Sequence, residues 1–347
     1  MLSDRENYIR NARFQGPEWI PMYAGISNAS WDQHRKEMEK VALRHPDFFP
    51  YVKEGWRNYD NFDFGPGYTK GVPFIDEWGC TWLSAVNGLQ GAVINEPLQS
   101  WDDLESYHVP DAEVTADWEQ IERNIRQAKA EGRLTQGGPS HGFIFLQLQY
   151  LRGFENLMVD MALGEPKLAR LIDMLIEHNM KIVENYLRFG VDILEFGDDL
   201  GTQTATIISP ADLRKWIMPA YAKLAAPCKT AGVLIAMHSD GRTLEILEDQ
   251  IAAGVEIVNP QDLCNGIDNL AKYIKGKACI RLDVDRQSIV PFGTRKDIHD
   301  LIEEEVRKLG DPRGGLEFIV GIYPPTPPEN VDALCEAFGK FRTYWWD

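Results

Sequence analysis

The longest regular pattern in the chain is apolar residues at helical spacing across residues 166–189. Leu168, Leu171, Ile172, Leu175, Ile176, Ile182, Val183, Tyr186 and Leu187 fall on one helical face, and Pro166 suits the first turn. Gly190 stops this helix, and Val191-Asp192-Ile193-Leu194-Glu195-Phe196 reads as a buried strand. The same succession of helix, glycine and strand recurs at 231–237 and 253–258, and further strands are expected at 19–24, 134–138, 278–282 and 317–320. Helices alternating with apolar strands predict a parallel sheet. The expected fold is therefore α/β, a (β/α)8 TIM barrel inferred from spacing. Seven strands are placed and the eighth is not, so a doubly wound open sheet is the alternative. Residues 66–98, with Asp76-Glu77-Trp78-Gly79-Cys80-Thr81-Trp82 and several glycines, read as a hairpin insertion over the barrel mouth.

Length refines this picture. A chain of 347 residues would ordinarily suggest about two domains, but a barrel takes roughly 250 residues and grows by insertion. No linker or composition shift marks a boundary, so residues 1–347 are read as a single barrel domain. The apolar fraction of 44% and charged fraction of 26% are those of a globular protein, and no apolar run approaches the roughly 18 residues of a membrane span. The polar, acidic start Met1-Leu2-Ser3-Asp4-Arg5-Glu6 is unlike a signal peptide, which predicts a cytoplasmic location. Five cysteines without C-x-x-C spacing argue against a disulfide framework and a zinc finger. A net charge of −17 disfavours nucleic acid, anionic membrane and substrates bearing many carboxylates. A homodimer is left open.

Candidate chemistry lies just after the late strands, where the chain is polar: Gly197-Asp198-Asp199-Leu200-Gly201-Thr202-Gln203, His238-Ser239-Asp240-Gly241, Asn259-Pro260-Gln261, Asp283-Val284-Asp285 and Gly321-Ile322-Tyr323-Pro324-Pro325. In a parallel barrel these exits converge on one pocket. The plain alternative is that such residues are ordinary turns and helix caps. His238, with Asp240 two positions on, can be a metal ligand, a general acid or a structural histidine. His141, just past an expected strand, is a further pocket candidate, with a turn histidine as the alternative reading.

The stretch 197–203 followed by Ile208-Ser209-Pro210, the 238–241 turn, Pro291-Phe292-Gly293-Thr294 and Pro324-Pro325-Thr326-Pro327-Pro328-Glu329-Asn330 together resemble the uroporphyrinogen decarboxylase superfamily, most strongly from about Arg152 to Asn330. The resemblance implies a (β/α)8 barrel and one of two chemistries: decarboxylation of uroporphyrinogen, or methyl transfer with a cobamide cofactor. Decarboxylases of the family carry an arginine-rich stretch near the N-terminus that grips the tetrapyrrole's carboxylates; here the corresponding region is Trp19-Ile20-Pro21-Met22-Tyr23-Ala24-Gly25. Members that methylate a thiol resemble one another in a His-x-Cys motif and a later cysteine that bind zinc; here Asp240 replaces the first cysteine and none lies among residues 320–323.

What the resemblance then implies is the reverse transfer, from a methoxylated aromatic donor to the Co(I) corrinoid of a separate partner protein, as in the first methyltransferase of anaerobic O-demethylase systems. The expected catalytic residues are His238, Asp199, Asp198 and Tyr323, and the expected substrate contacts Trp78, His141, Gln203, Asn259 and Asp283. A zinc ion, where present, is expected on His238, Asp240 and a further carboxylate, with Glu195 the first choice and Asp199 or Asp283 the others. Trp78 and Trp82 are candidate lid residues over a flat ring, or simply packing. The nearest approach to a D-x-H-x-x-G corrinoid motif, at residues 297–302, lacks the glycine and reads as a helix, so the corrinoid is expected to arrive on the partner. The alternatives are a decarboxylase-type lyase or a hydrolase using the same pocket, and a non-catalytic binding protein.

Overall fold

A computed structural model describes residues 2–346. Seven parallel strands form one sheet: β1 (Met22–Ile26), β5 (Gln136–Gly137), β6 (Ile193–Gly197), β7 (Leu234–Ser239), β8 (Ile257–Pro260), β9 (Cys279–Asp283) and β10 (Leu316–Ile322), in the order β1-β10-β9-β8-β7-β6-β5. Every strand expected from the sequence is present. β1 begins three residues late, after Pro21, which has no N–H to give the ladder though its carbonyl accepts from Phe318 N. The helix Pro166–Phe189 follows the expected spacing and ends where Gly190 turns left-handed at φ +72°.

The sheet curls into the TIM-barrel architecture, with seven of its eight strand positions formed among the described residues. Its two edges are β1 and β5. Between them in sequence runs a separate antiparallel sheet of three strands, β2 (Pro73–Ile75), β3 (Thr81–Leu83) and β4 (Ala92–Asn95), so the expected hairpin is a three-stranded meander. The meander packs at the strand-exit end: Gly88 lies against the backbone of Asn28 and Ala29, and Trp82 meets Tyr150 edge to face at 4.8 Å.

Alternation along the strands sorts two cores. Leu194, Phe196, Ile235, Met237, Val258, Ile280, Leu282 and Phe318 pack outward against the helices. Ile193, Leu234, Ala236, Ile257 and Cys279 face inward around Tyr8 of the helix Asp4–Ala12. Inside this ring Arg281 donates to Glu317 (2.6 Å), to both oxygens of Glu195 (2.7 and 3.0 Å) and to the Tyr8 hydroxyl (2.6 Å), while Tyr8 donates to Glu317 at 2.9 Å. Among the described residues no helix is long and apolar enough to cross a membrane.

Candidate active site at the strand exits

Two glycines lock the exits of β6 and β7 together. Gly241 has φ +79°, and a Cβ there would lie 2.3 Å from the Gly201 carbonyl carbon; one on Gly201 would lie 2.6 Å from Arg242 N. The resulting backbone contact is sealed by Gly201 N to Asp240 O (3.1 Å) and Arg242 N to Thr202 O (2.7 Å). Gly197 serves a neighbouring need, since a Cβ there would strike the His141 ring at 2.6 Å.

Register then sets the neighbours. Gly197 pairs with His238, His238 with Asn259, and Gln261 with Asp283. His238 Nδ1 meets Asn259 Oδ1 at 2.9 Å; an amide oxygen only accepts, so this nitrogen carries the hydrogen and Nε2 faces the carboxylates. Nε2 lies 3.1 Å from Asp240 Oδ1 and 3.7 Å from Asp199 Oδ1, and His141 Nε2 is 3.3 Å from the same Asp199 oxygen. Burial opposes a charge on His238, but Asp240, Asp283 and Asp199 outweigh it and raise its pKa. Burial likewise lifts Asp283 to about 6, against the pull of Arg286 and His238. Asp240 moves the other way, to about 2, because His238 and Arg286 favour its carboxylate more than burial disfavours it.

Arg286 was not foreseen, although it directly follows the expected exit 283–285. It bridges Asp240 and Asp283, at 2.8 Å from Asp283 Oδ2, and lies 5.3 Å from the centre of the Tyr323 ring. Gln261 completes this side, donating to Asp240 at 3.0 Å. A cavity of about 370 Å³ opens here, bordered by Gln203, Gln261, Asp283 and Arg286. A smaller one of about 150 Å³ lies on the other flank, beside His141 and Trp78.

Three expectations need correction. Asp198 is wholly buried and accepts from Phe145 N (2.5 Å), Leu146 N (2.8 Å) and Tyr221 OH (2.9 Å), so it anchors the start of the helix Phe145–Arg152 behind the site instead of reaching substrate. Glu195 sits one inward position deeper on β6 and is held by Arg281, away from His238, so it is no partner for a metal there. Trp82 is buried with its indole N–H on Asp76 (2.7 Å), which removes it from any lid.

The donor atoms fit a metal differently from the expected set. His141, Asp199 and His238 offer three ligand atoms within 4.8 Å of one another, and His238, Asp240 and Asp283 offer a second such group. In the second group the guanidinium of Arg286 already supplies the positive charge. The first has no such cation, and two imidazoles with one carboxylate match catalytic zinc, whose tetrahedral ligands at ~2.1 Å lie ~3.4 Å apart. The observed separations of 3.3 and 3.7 Å are close to that spacing.

The chain is similar to known proteins over most of its length. Uroporphyrinogen decarboxylase of Prochlorococcus marinus (strain AS9601) is 28% identical over 198 residues, 54% of this chain and 53% of the relative. That of Thermus thermophilus is 26% identical over 212 residues, 58% and 54% of the two. The chain thus spans about half the length of the curated relatives it matches. A methyltransferase from Methanosarcina mazei shares the fold at 17% identity and a TM-score of 0.68, covering 97% of this chain and 98% of the other. The family description Uroporphyrinogen decarboxylase (URO-D) matches residues 82–341. With three quarters of its length so matched, and with the barrel and its polar strand exits in place, the chain belongs to the uroporphyrinogen decarboxylase (URO-D) family.

Proposed function

We propose that this protein is a methyltransferase that takes a methyl group from a methoxylated aromatic and delivers it to the corrinoid of a separate partner protein docked over the barrel mouth. The observation that carries this reading is the convergence of His141, His238 and Asp199 at the strand exits, with Asp240 and Asp283 adjoining and one guanidinium among them. Three aspartates against a single arginine make a poor seat for a tetrapyrrole bearing many carboxylates. They suit a neutral ether whose oxygen becomes charged only as the C–O bond breaks.

In such a transfer the bond pair of the methyl–oxygen bond stays on oxygen, and the partner's reduced corrinoid supplies the pair that forms the new bond to carbon. This chain's work is alignment and stabilisation of the leaving oxygen. Asn259 holds His238 in one orientation, and His238 Nε2 is placed to give the oxygen a proton. Zinc held by His141, Asp199 and His238 would instead occupy that nitrogen and would act on the oxygen as a Lewis acid in place of the proton. Arg286, covered by the Tyr323 ring, keeps Asp240 and Asp283 from repelling the forming phenolate.

A decarboxylase-type lyase is the second reading, favoured by the names of the curated relatives. Mixing the protein with a reduced corrinoid protein and a panel of methoxylated phenols separates the two by visible spectroscopy. Donor-dependent methylation of the corrinoid is expected, with metal analysis of wild type and Asp199→Ala reporting the ion and its loss. Turnover of uroporphyrinogen without any corrinoid protein would establish the lyase instead.

A further inference from the structure

We propose that the 150 Å³ cavity beside His141 is the seat of the donor's aromatic ring, and that Gln147 selects a single ring carrying a hydroxyl besides its methoxy group. This rests on the methyl-transfer reading for its purpose, but the pocket is argued from its own walls.

The cavity lies between the meander and the exit of β5 and is walled by Trp78, Trp118, Phe143, His178 and Tyr186. These rings are braced before any ligand arrives. Trp78 meets His178 edge to face at 4.7 Å, and Trp118 meets Tyr186 at 5.5 Å. The Trp118 indole N–H is tied to Ala112 O (2.8 Å), and Gly137 makes room for Tyr186, since a Cβ there would strike the ring at 2.1 Å. Preorganised aromatic walls favour a flat apolar guest by stacking and edge contacts. The volume matches the cavity of about 150 Å³ that admits benzene in an engineered protein. A second fused ring adds about half again to the bulk of that guest and disfavours a bicyclic one.

One wall group is unpaired. Gln147, 9% exposed, lines the cavity, and its Nε2 has no hydrogen-bond partner among the described residues. A buried donor left unmade is costly, so an acceptor on the guest is strongly preferred to a hydrocarbon edge. Asp198 aims this group by capping the first turn of the helix Phe145–Arg152, to which Gln147 belongs. His178 donates from Nδ1 to Pro110 O (2.9 Å), which leaves Nε2 an acceptor, and burial lowers its pKa and keeps it neutral. A phenolic hydroxyl carries both complements, an acceptor that the Gln147 amide turns to meet and a hydrogen for His178. His141 borders this cavity and reaches Asp199, so a substituent on the seated ring adjoins the polar cluster.

The test is binding, read as quenching of tryptophan fluorescence and by calorimetry, with three probes: 2-methoxyphenol, methoxybenzene and 6-methoxy-2-naphthol. Wild type is expected to bind 2-methoxyphenol about tenfold more tightly than methoxybenzene, and not to bind the naphthol. Gln147→Leu removes an unpaired donor and should fold normally; it is expected to cut the difference between the first two probes to about threefold, the share left to His178. Trp78→Ala is expected to admit the naphthol. Unchanged preference in Gln147→Leu, equal binding of the naphthol by wild type, or no binding of any probe by folded protein would each overturn the proposal. Selective binding without methylation of a competent corrinoid protein would uphold the ring seat and overturn the methyl-transfer reading.

Discussion

At Gly241 a left-handed backbone and a 2.3 Å approach to Gly201 coincide, so a side chain is refused on both counts. Gly241→Ala is expected to cost about 2–4 kcal/mol, seen as a lower denaturant midpoint with unchanged slope. Because the same contact positions Asp240 and His238, the variant should also lose activity beyond its loss of fold. Such glycines are visible in the sequence as turn residues, yet their partners are not. Gly201 and Gly241 are forty positions apart, and only the β6–β7 pairing makes them touch. Arg286 was missed for a related reason: nothing local distinguishes an arginine that bridges two aspartates from one that faces water.

At the scale of single elements, buried acids do structural work. Asp198 shows this at the helix Phe145–Arg152, and Asp262 with Glu305 shows it between the exit of β8 and the helix Arg295–Leu309. Both are buried, and neither Glu305 oxygen finds a donor. Burial, reinforced by the neighbouring Asp262, raises Glu305 well above the ordinary glutamate value, and burial lifts Asp262 to about 6. A protonated Glu305 donating to Asp262 resolves the pair. Since both folded pKa values exceed the unfolded ones, this stabilisation is fully present below about pH 4 and is lost as pH rises through 6 and beyond. Glu305→Gln carries a permanent donor to Asp262. It is expected to stabilise the protein at pH 8 by about 1–3 kcal/mol and to be close to neutral at pH 4, as thermal melts at the two pH values would reveal.

Across the whole molecule, Arg281 ties β6, β9, β10 and the helix Asp4–Ala12 together inside the barrel, reaching Glu195, Glu317 and Tyr8 from one guanidinium. Removing it leaves the fully buried Glu317 and the part-buried Glu195 without their cation. Arg281→Met should therefore destabilise by about 3–5 kcal/mol in denaturant titrations, far more than loss of a surface ion pair. In the sequence Arg281 is a lone charge between Ile280 and Leu282 that the strand reading passed over, and nothing local names its partners. Glu195, expected at the metal, proved to be one of them.

Periodicity sufficed for the seven parallel strands and the long helix Pro166–Phe189, because hydrophobic alternation and glycine stops act over a few residues, but it left the barrel beside a doubly wound sheet until the family resemblance favoured the barrel. It also sufficed to find the polar strand exits, since each is a local run. Which of those residues meet was decided by register and close packing across the sheet. That is why His141 joins Asp199 and His238, why Asp198 turns inward as a cap, and why Arg286 stands between Asp240 and Asp283. The unformed eighth strand position belongs with these: whether a stretch of chain closes a sheet depends on the edge it finds, a property of β1 and β5 together that no local window contains.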